Sequence, residues 1–199
     1  MGKIKPHRTS PSLDMTPMVD LAFLLVTFFM LTTKFAPEEP VTVDTPSSTS
    51  EFKLPETDIL TITIAKDGAV FFNMDGKYNR VDLLKSIGEK YQIQFTEEET
   101  AKFALLSSFG LPIGNLKEYL AMSQEERTHL KQPGIPVDSL NNQLQDWIIF
   151  SRMTNPRLRI AIKGDSNSNY PVVKKVLNTL IDNKVNRFNL ITNMEREAS

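Results

Sequence analysis

The chain of 199 residues has no cysteine, two histidines and one tryptophan. Without thiols there is no disulfide framework and no thiolate nucleophile or ligand. His7 and His129 stand far apart, with no ligand spacing around either, so no metal and no bound cofactor is expected. An excess of one charge is missing too. The 23 basic and 24 acidic residues leave a net charge of −1, and no Lys/Arg patch occurs beyond the first few residues, which argues against nucleic acid as a partner. Neither a Gly-x-Ser-x-Gly elbow nor a Gly-rich phosphate loop followed by Lys-Ser/Thr is present, and no enzyme is expected. Lys163-Gly164-Asp165-Ser166-Asn167 reads as a turn leading into a helix, and Glu97-Glu98-Glu99 as a solvated helix start where acids suit the dipole.

What the chain does have is one long apolar run. Asp14-Met15-Thr16-Pro17-Met18-Val19-Asp20 leads into Leu21 through Leu31, and from Pro17 to Thr33 the only ionisable group is Asp20. That length is about the minimum for crossing a bilayer. Thr16 can cap the helix with its hydroxyl, and Pro17 at the first helical position loses nothing by lacking an N–H. Asp20 then falls about one turn inside the span. An Asp at the centre of a spanning helix costs roughly 2.5–3.5 kcal/mol, and less toward the ends, so this acid has no reason to face lipid and needs protein or water. Thr27 lies on the same helical stripe, with Phe23 and Leu24 between, while the opposite surface is Leu, Phe, Val and Met. One helix cannot enclose an aqueous path, so partner helices are required.

At Asp14, Thr16, Pro17 and Asp20 the sequence resembles the ExbD/TolR family, whose members carry an Asn-x-Thr-Pro-x-x-Asp signature at the start of their only transmembrane helix. The first position here is a carboxylate in place of the usual amide, and a carboxylate also accepts hydrogen bonds at a helix N-terminus. The resemblance implies that Asp20 takes up and releases protons in a motor driven by the proton-motive force. It implies a homodimer within a ring of an ExbB-like polytopic membrane protein, delivering work to a TonB-like transducer that opens outer-membrane transporters. A TolR-like role through TolA in outer-membrane constriction is the close alternative. A membrane-tethered binding or scaffold module, whose helix is only a tether, is the alternative from another class.

Lys3, Lys5 and Arg8 precede the apolar run, and Lys34 is followed by Glu38, Glu39 and Asp44, so the positive-inside rule places residues 1–13 in the cytoplasm and the bulk of the chain beyond the membrane. With the resemblance, this implies a single-pass protein of the bacterial inner membrane with a periplasmic domain. A cleaved signal peptide fits less well, given the acid in the run, the Thr-Pro pair, and Lys34-Phe35-Ala36 where an Ala-x-Ala site is wanted. The expected organisation is a tail over 1–13, a transmembrane helix over 14–34, a Pro/Ser/Thr-rich linker over 35–56 and a domain over 57–199. Four prolines punctuate Ala36 to Pro55; extended at about 3.1 Å per residue, such a linker reaches roughly 60 Å and tethers the domain loosely.

In the domain, Leu60, Ile62 and Ile64 alternate with threonines, and Lys66-Asp67-Gly68 turns the chain into Ala69–Asn73, a β-hairpin. Val81, Leu84, Ile87 and Tyr91 fall at helical spacings in Asn79–Gln92. Near the C-terminus, a strand with Leu158, Ile160 and Ile162 precedes a helix opened by Pro171, with Val172, Val173, Val176, Leu177, Leu180 and Ile181 on its apolar side. A last strand carries Phe188, Leu190 and Thr192. The fold class is a small α/β (α+β) domain with helices on one face of a mixed sheet. Residues from about 95 to 155 form an insertion that the shortest family members lack. Helices are expected over Glu97–Ser107, Asn115–Leu130 and Val137–Met153, with a break at Gln132–Pro136. Trp147-Ile148-Ile149-Phe150 is expected to pack the insertion onto the domain.

Overall fold

The computed structural model describes residues 15–32, 41, 43–45, 47–48, 57–165, 168–185, 187–191 and 193–194, and the chain divides into two compact units, Met1–Ala36 and Pro37–Ser199. In the first, helix α1 runs from Thr16 to Thr32.

The second unit is built on the hairpin of β2 (Ile59–Ile64) and β3 (Val70–Met74), which follows a short strand β1 (Ser47–Ser48). Leu60, Ile62 and Ile64 lie opposite Met74, Phe72 and Val70, and all six are buried. The expected turn closes the hairpin. The Gly68 N–H donates to Ala65 O at 2.9 Å, the Asp67 carboxylate accepts from Ala69 N at 3.2 Å, and Gly68 takes a φ of +85° that a Cβ would strain. Helix α2 (Lys77–Tyr91) follows, burying Leu83, Leu84 and Ile87, and stops at a left-handed Gln92.

The family-like C-terminal third folds as expected. Strand β6 (Arg159–Gly164) runs parallel to β2, α7 (Tyr170–Asp182) crosses over, and β7 (Phe188–Ile191) runs parallel to β6. The sheet order is β3-β2-β6-β7, mixed because only the hairpin is antiparallel. Ile181, placed on the apolar side by its spacing, is exposed, as is Leu190: the buried face of α7 is narrower, centred on Val176, Thr179 and Leu180. Thr192 lies outside the described residues.

The insertion departs from expectation in two places. The helix expected over Asn115–Leu130 is two, α4 (Ile113–Ala121) and α5 (Gln124–His129). Ser123 starts the second: its hydroxyl accepts from Glu126 N at 3.3 Å while the Glu126 carboxylate accepts from Ser123 N at 2.8 Å. This reciprocal cap stops α4 from continuing, and its Ser-x-x-Glu signature stands in the sequence. The helix expected over Val137–Met153 begins later, because residues 137–142 form a tight hairpin of β4 (Val137–Asp138) and β5 (Asn141–Asn142). Asn142 then caps α6 (Gln143–Thr154), accepting from Gln145 N at 3.2 Å. Helix α3 (Glu97–Leu105) matches its expected start, with Thr96 and Glu99 forming another reciprocal cap.

One core joins the insertion to the sheet. Phe72 of β3 meets Phe109 and Trp147 of the insertion, and Phe103 packs on both of these, with ring centroids 4.9 Å apart for Phe109 and Trp147 and 5.6 Å for Phe72 and Trp147. As expected, Trp147 and Ile148 are fully buried and cover the hairpin; Ile149 stays exposed.

Part of the expected linker is described. Val41 and Val43 pack against Ala65, Ala69 and Phe71, Thr45 is buried, and Asp44 N donates to the Asp165 carboxylate at 3.1 Å. Ser47 and Ser48 then pair in parallel with β8 (Asn193–Met194). Residues 41, 43–45 and 47–48 thus make contacts within the second unit.

Candidate functional site

The candidate site is on α1. The helix starts one residue before the expected position: Thr16 is its first residue, and the carbonyl of Met15 accepts from Val19 N at 3.1 Å. Pro17 still sits in the first turn, where a missing N–H breaks no helical bond. Asp14, the first residue of the helix-start motif, lies outside the described residues, as do Lys3, Lys5, His7, Arg8 and Lys34.

Asp20 is the one ionisable residue of α1, in a sequence otherwise of Leu, Phe, Val, Met, Ala, Pro and Thr. Among the described residues none of α1 is buried, and the large apolar side chains from Met15 to Leu31 are each more than half exposed. Such a surface in water is far larger than a monomeric soluble protein tolerates, which makes α1 a helix that expects other apolar material around it. Among the described residues, no helix is long and apolar enough to cross a membrane; α1 itself has 17 residues, about 26 Å at 1.5 Å per residue.

Thr27 is less exposed than its neighbours, and its hydroxyl lies 3.0 Å from Phe23 O and 2.9 Å from Leu24 O. Its one proton is therefore committed to the helix backbone, whereas its oxygen can still accept a hydrogen bond. Asp20 and Thr27 share a face, but they are two turns apart, about 10.5 Å along the axis. A direct bond between them within one chain is out of reach.

Elsewhere the chemistry is structural. His129 is exposed at the end of α5, and among the described residues no group of three or more His, Cys, Asp or Glu side chains could hold a metal. Glu99 is the capping partner of Thr96, accepting its N–H at 2.8 Å. Asp165 accepts from the linker amide of Asp44; Ser166 and Asn167 lie outside the described residues. Sequence reading missed Arg80, whose guanidinium donates to Met74 O at 2.6 Å, to Ala104 O at 3.2 Å and to Leu106 O. Burial holds its pKa below the usual arginine value, with nearby Asp75 opposing that fall. An isolated Arg in an amphipathic helix gives no sign that it will clasp a loop more than twenty residues away.

The family described as biopolymer transport protein ExbD/TolR matches residues 6–195. No curated protein and no solved structure matches the chain.

Proposed function

Because the chain belongs to the ExbD/TolR family of biopolymer transport proteins, we propose that it is the proton-carrying subunit of an inner-membrane motor, with residues 14–34, of which α1 is the described part, as its single membrane anchor and Asp20 as the group that is loaded and unloaded. The observation that carries this reading is that Asp20 is the one ionisable residue of an otherwise apolar helix.

An ExbB-like polytopic protein supplies that cover, and two copies of α1 stand within its ring. The N-terminal tail is cytoplasmic and the folded domain periplasmic. Alternating access to the two aqueous sides lets Asp20 collect a proton on one and release it on the other. Each charge crossing 100 mV supplies about 2.3 kcal/mol to bias a rearrangement of helices. Thr27, its own proton held by the backbone, serves as an acceptor along that path. The work passes to a TonB-like transducer that opens outer-membrane transporters.

A helix exchange tests the reading. Replacing residues 14–34 with an unrelated membrane anchor of equal length should abolish transport while preserving the folded domain and its membrane attachment. Full activity of that chimera would instead favour a tethered scaffold, whose helix does no chemistry.

A further inference from the structure

Strand β3 is sandwiched between β2 and the insertion. On its outer edge Phe72 N donates to Phe109 O at 2.8 Å and Phe109 N donates to Phe72 O at 3.0 Å, a one-residue antiparallel bridge. Farther along, Ile135 N donates to Val70 O at 2.8 Å, and Gly134 N donates to Gly110 O at 2.7 Å. Buried Gln132 ties the two stretches together, accepting from Gly110 N at 2.6 Å and donating to Tyr119 Oη at 3.1 Å. The approach is close enough to require glycine. A Cβ on Gly134, which has a φ of +96°, would lie 2.7 Å from the backbone nitrogen of Val70, and one on Gly110 would lie 2.6 Å from the Phe71 ring.

The edge so covered is a hazardous one. Ala69-Val70-Phe71-Phe72-Asn73-Met74 is uncharged, lacks Pro and Gly, and is rich in residues that favour strands, the composition that pairs with copies of itself when its backbone is free. No charge or proline of its own protects it. We propose that the insertion guards this edge, its two extended stretches at 109–110 and 134–135 occupying the place where β3 of a second copy of the chain would otherwise add. The insertion's role is thus to keep assembly of the domain from proceeding through β3. This holds whatever Asp20 does, because the edge and its cover lie wholly in the folded domain.

The cysteine-free sequence allows a direct test on the full chain. Asn73→Cys places one thiol next to the middle residue, Phe72, of β3, where antiparallel pairing of two copies in a register centred on residue 73 would bring the two thiols opposite each other. With the cover intact, oxidation should leave the chain uncrosslinked, and the Phe72 and Ile135 amides should exchange slowly with deuterium. Adding Gly134→Val should speed exchange at both amides and raise the disulfide-linked dimer several-fold, while Trp147 fluorescence reports that the aromatic core remains folded. Exposed amides without linked dimer, or equal linked dimer with the cover intact, would overturn the proposal. Should Gly134→Val fail to fold, the Asn73→Cys chain in rising urea decides instead. Linked dimer must then appear together with exchange at Ile135 and before Trp147 fluorescence changes; appearance only after that change, or no appearance at all, also overturns it.

Discussion

Tyr91 of α2 donates its phenolic proton to Asp146 of α6 at 2.5 Å, and Lys90 pairs with the same carboxylate. Burial first, and then the hydrogen bond and charge of Asp146, push the Tyr91 phenol well above its usual value of 10.0. A raised tyrosine pKa means that the fold prefers the neutral phenol. Its contribution is therefore complete below pH 10 and is lost as pH rises from there toward the folded-state value. Wild-type stability should decline above pH 10 in chemical denaturation, and Tyr91→Phe should be less stable at neutral pH but decline less steeply.

Trp147 fills the junction between insertion and sheet with no exposed surface. Its indole Nε1 is buried without a hydrogen-bond partner, so its value is packing alone. Trp147→Ala should cost about 3–5 kcal/mol. Trp147→Phe, which keeps a ring and removes the unpaired N–H, should cost clearly less in the same denaturation experiment.

Arg80 satisfies carbonyls at the ends of both β3 and α3. Arg80→Ala strands them, at about 1–3 kcal/mol for each that remains buried. Lysine, a point charge without the planar fork, should not restore stability. Amide exchange should rise first in Ala104–Phe109, where the clasp ends.

The hairpin and the strand-helix-strand unit were legible because each rests on periodicity within a few residues. The split of α4 from α5 was legible in principle, since Ser123 and Glu126 stand at capping spacing, but the apolar spacing across them suggested continuity. The β4–β5 turn carries neither Gly nor Pro, but Asp138, Ser139, Asn141 and Asn142 are turn-forming residues, so it too was legible in principle. Packing of Val41 and Val43 on the hairpin depends on residues more than twenty positions away, and their alternation spans only three residues.

The docked linker makes its own prediction. Val43→Asp puts a charge against Ala65, Ala69 and Phe71 and should release the segment, so that the Asp44 amide exchanges rapidly. The melting temperature of the domain should change little, because the main core of β2, β3, β6 and their helices does not include Val43.

Proton flux decides the central claim. In vesicles holding the chain with the membrane partner that co-purifies with it, Asp20→Asn should abolish proton movement while leaving insertion, partner recovery and the fold of the domain intact, since Asn matches Asp in size but cannot carry the proton. Undiminished flux through the Asp20→Asn assembly would contradict the account.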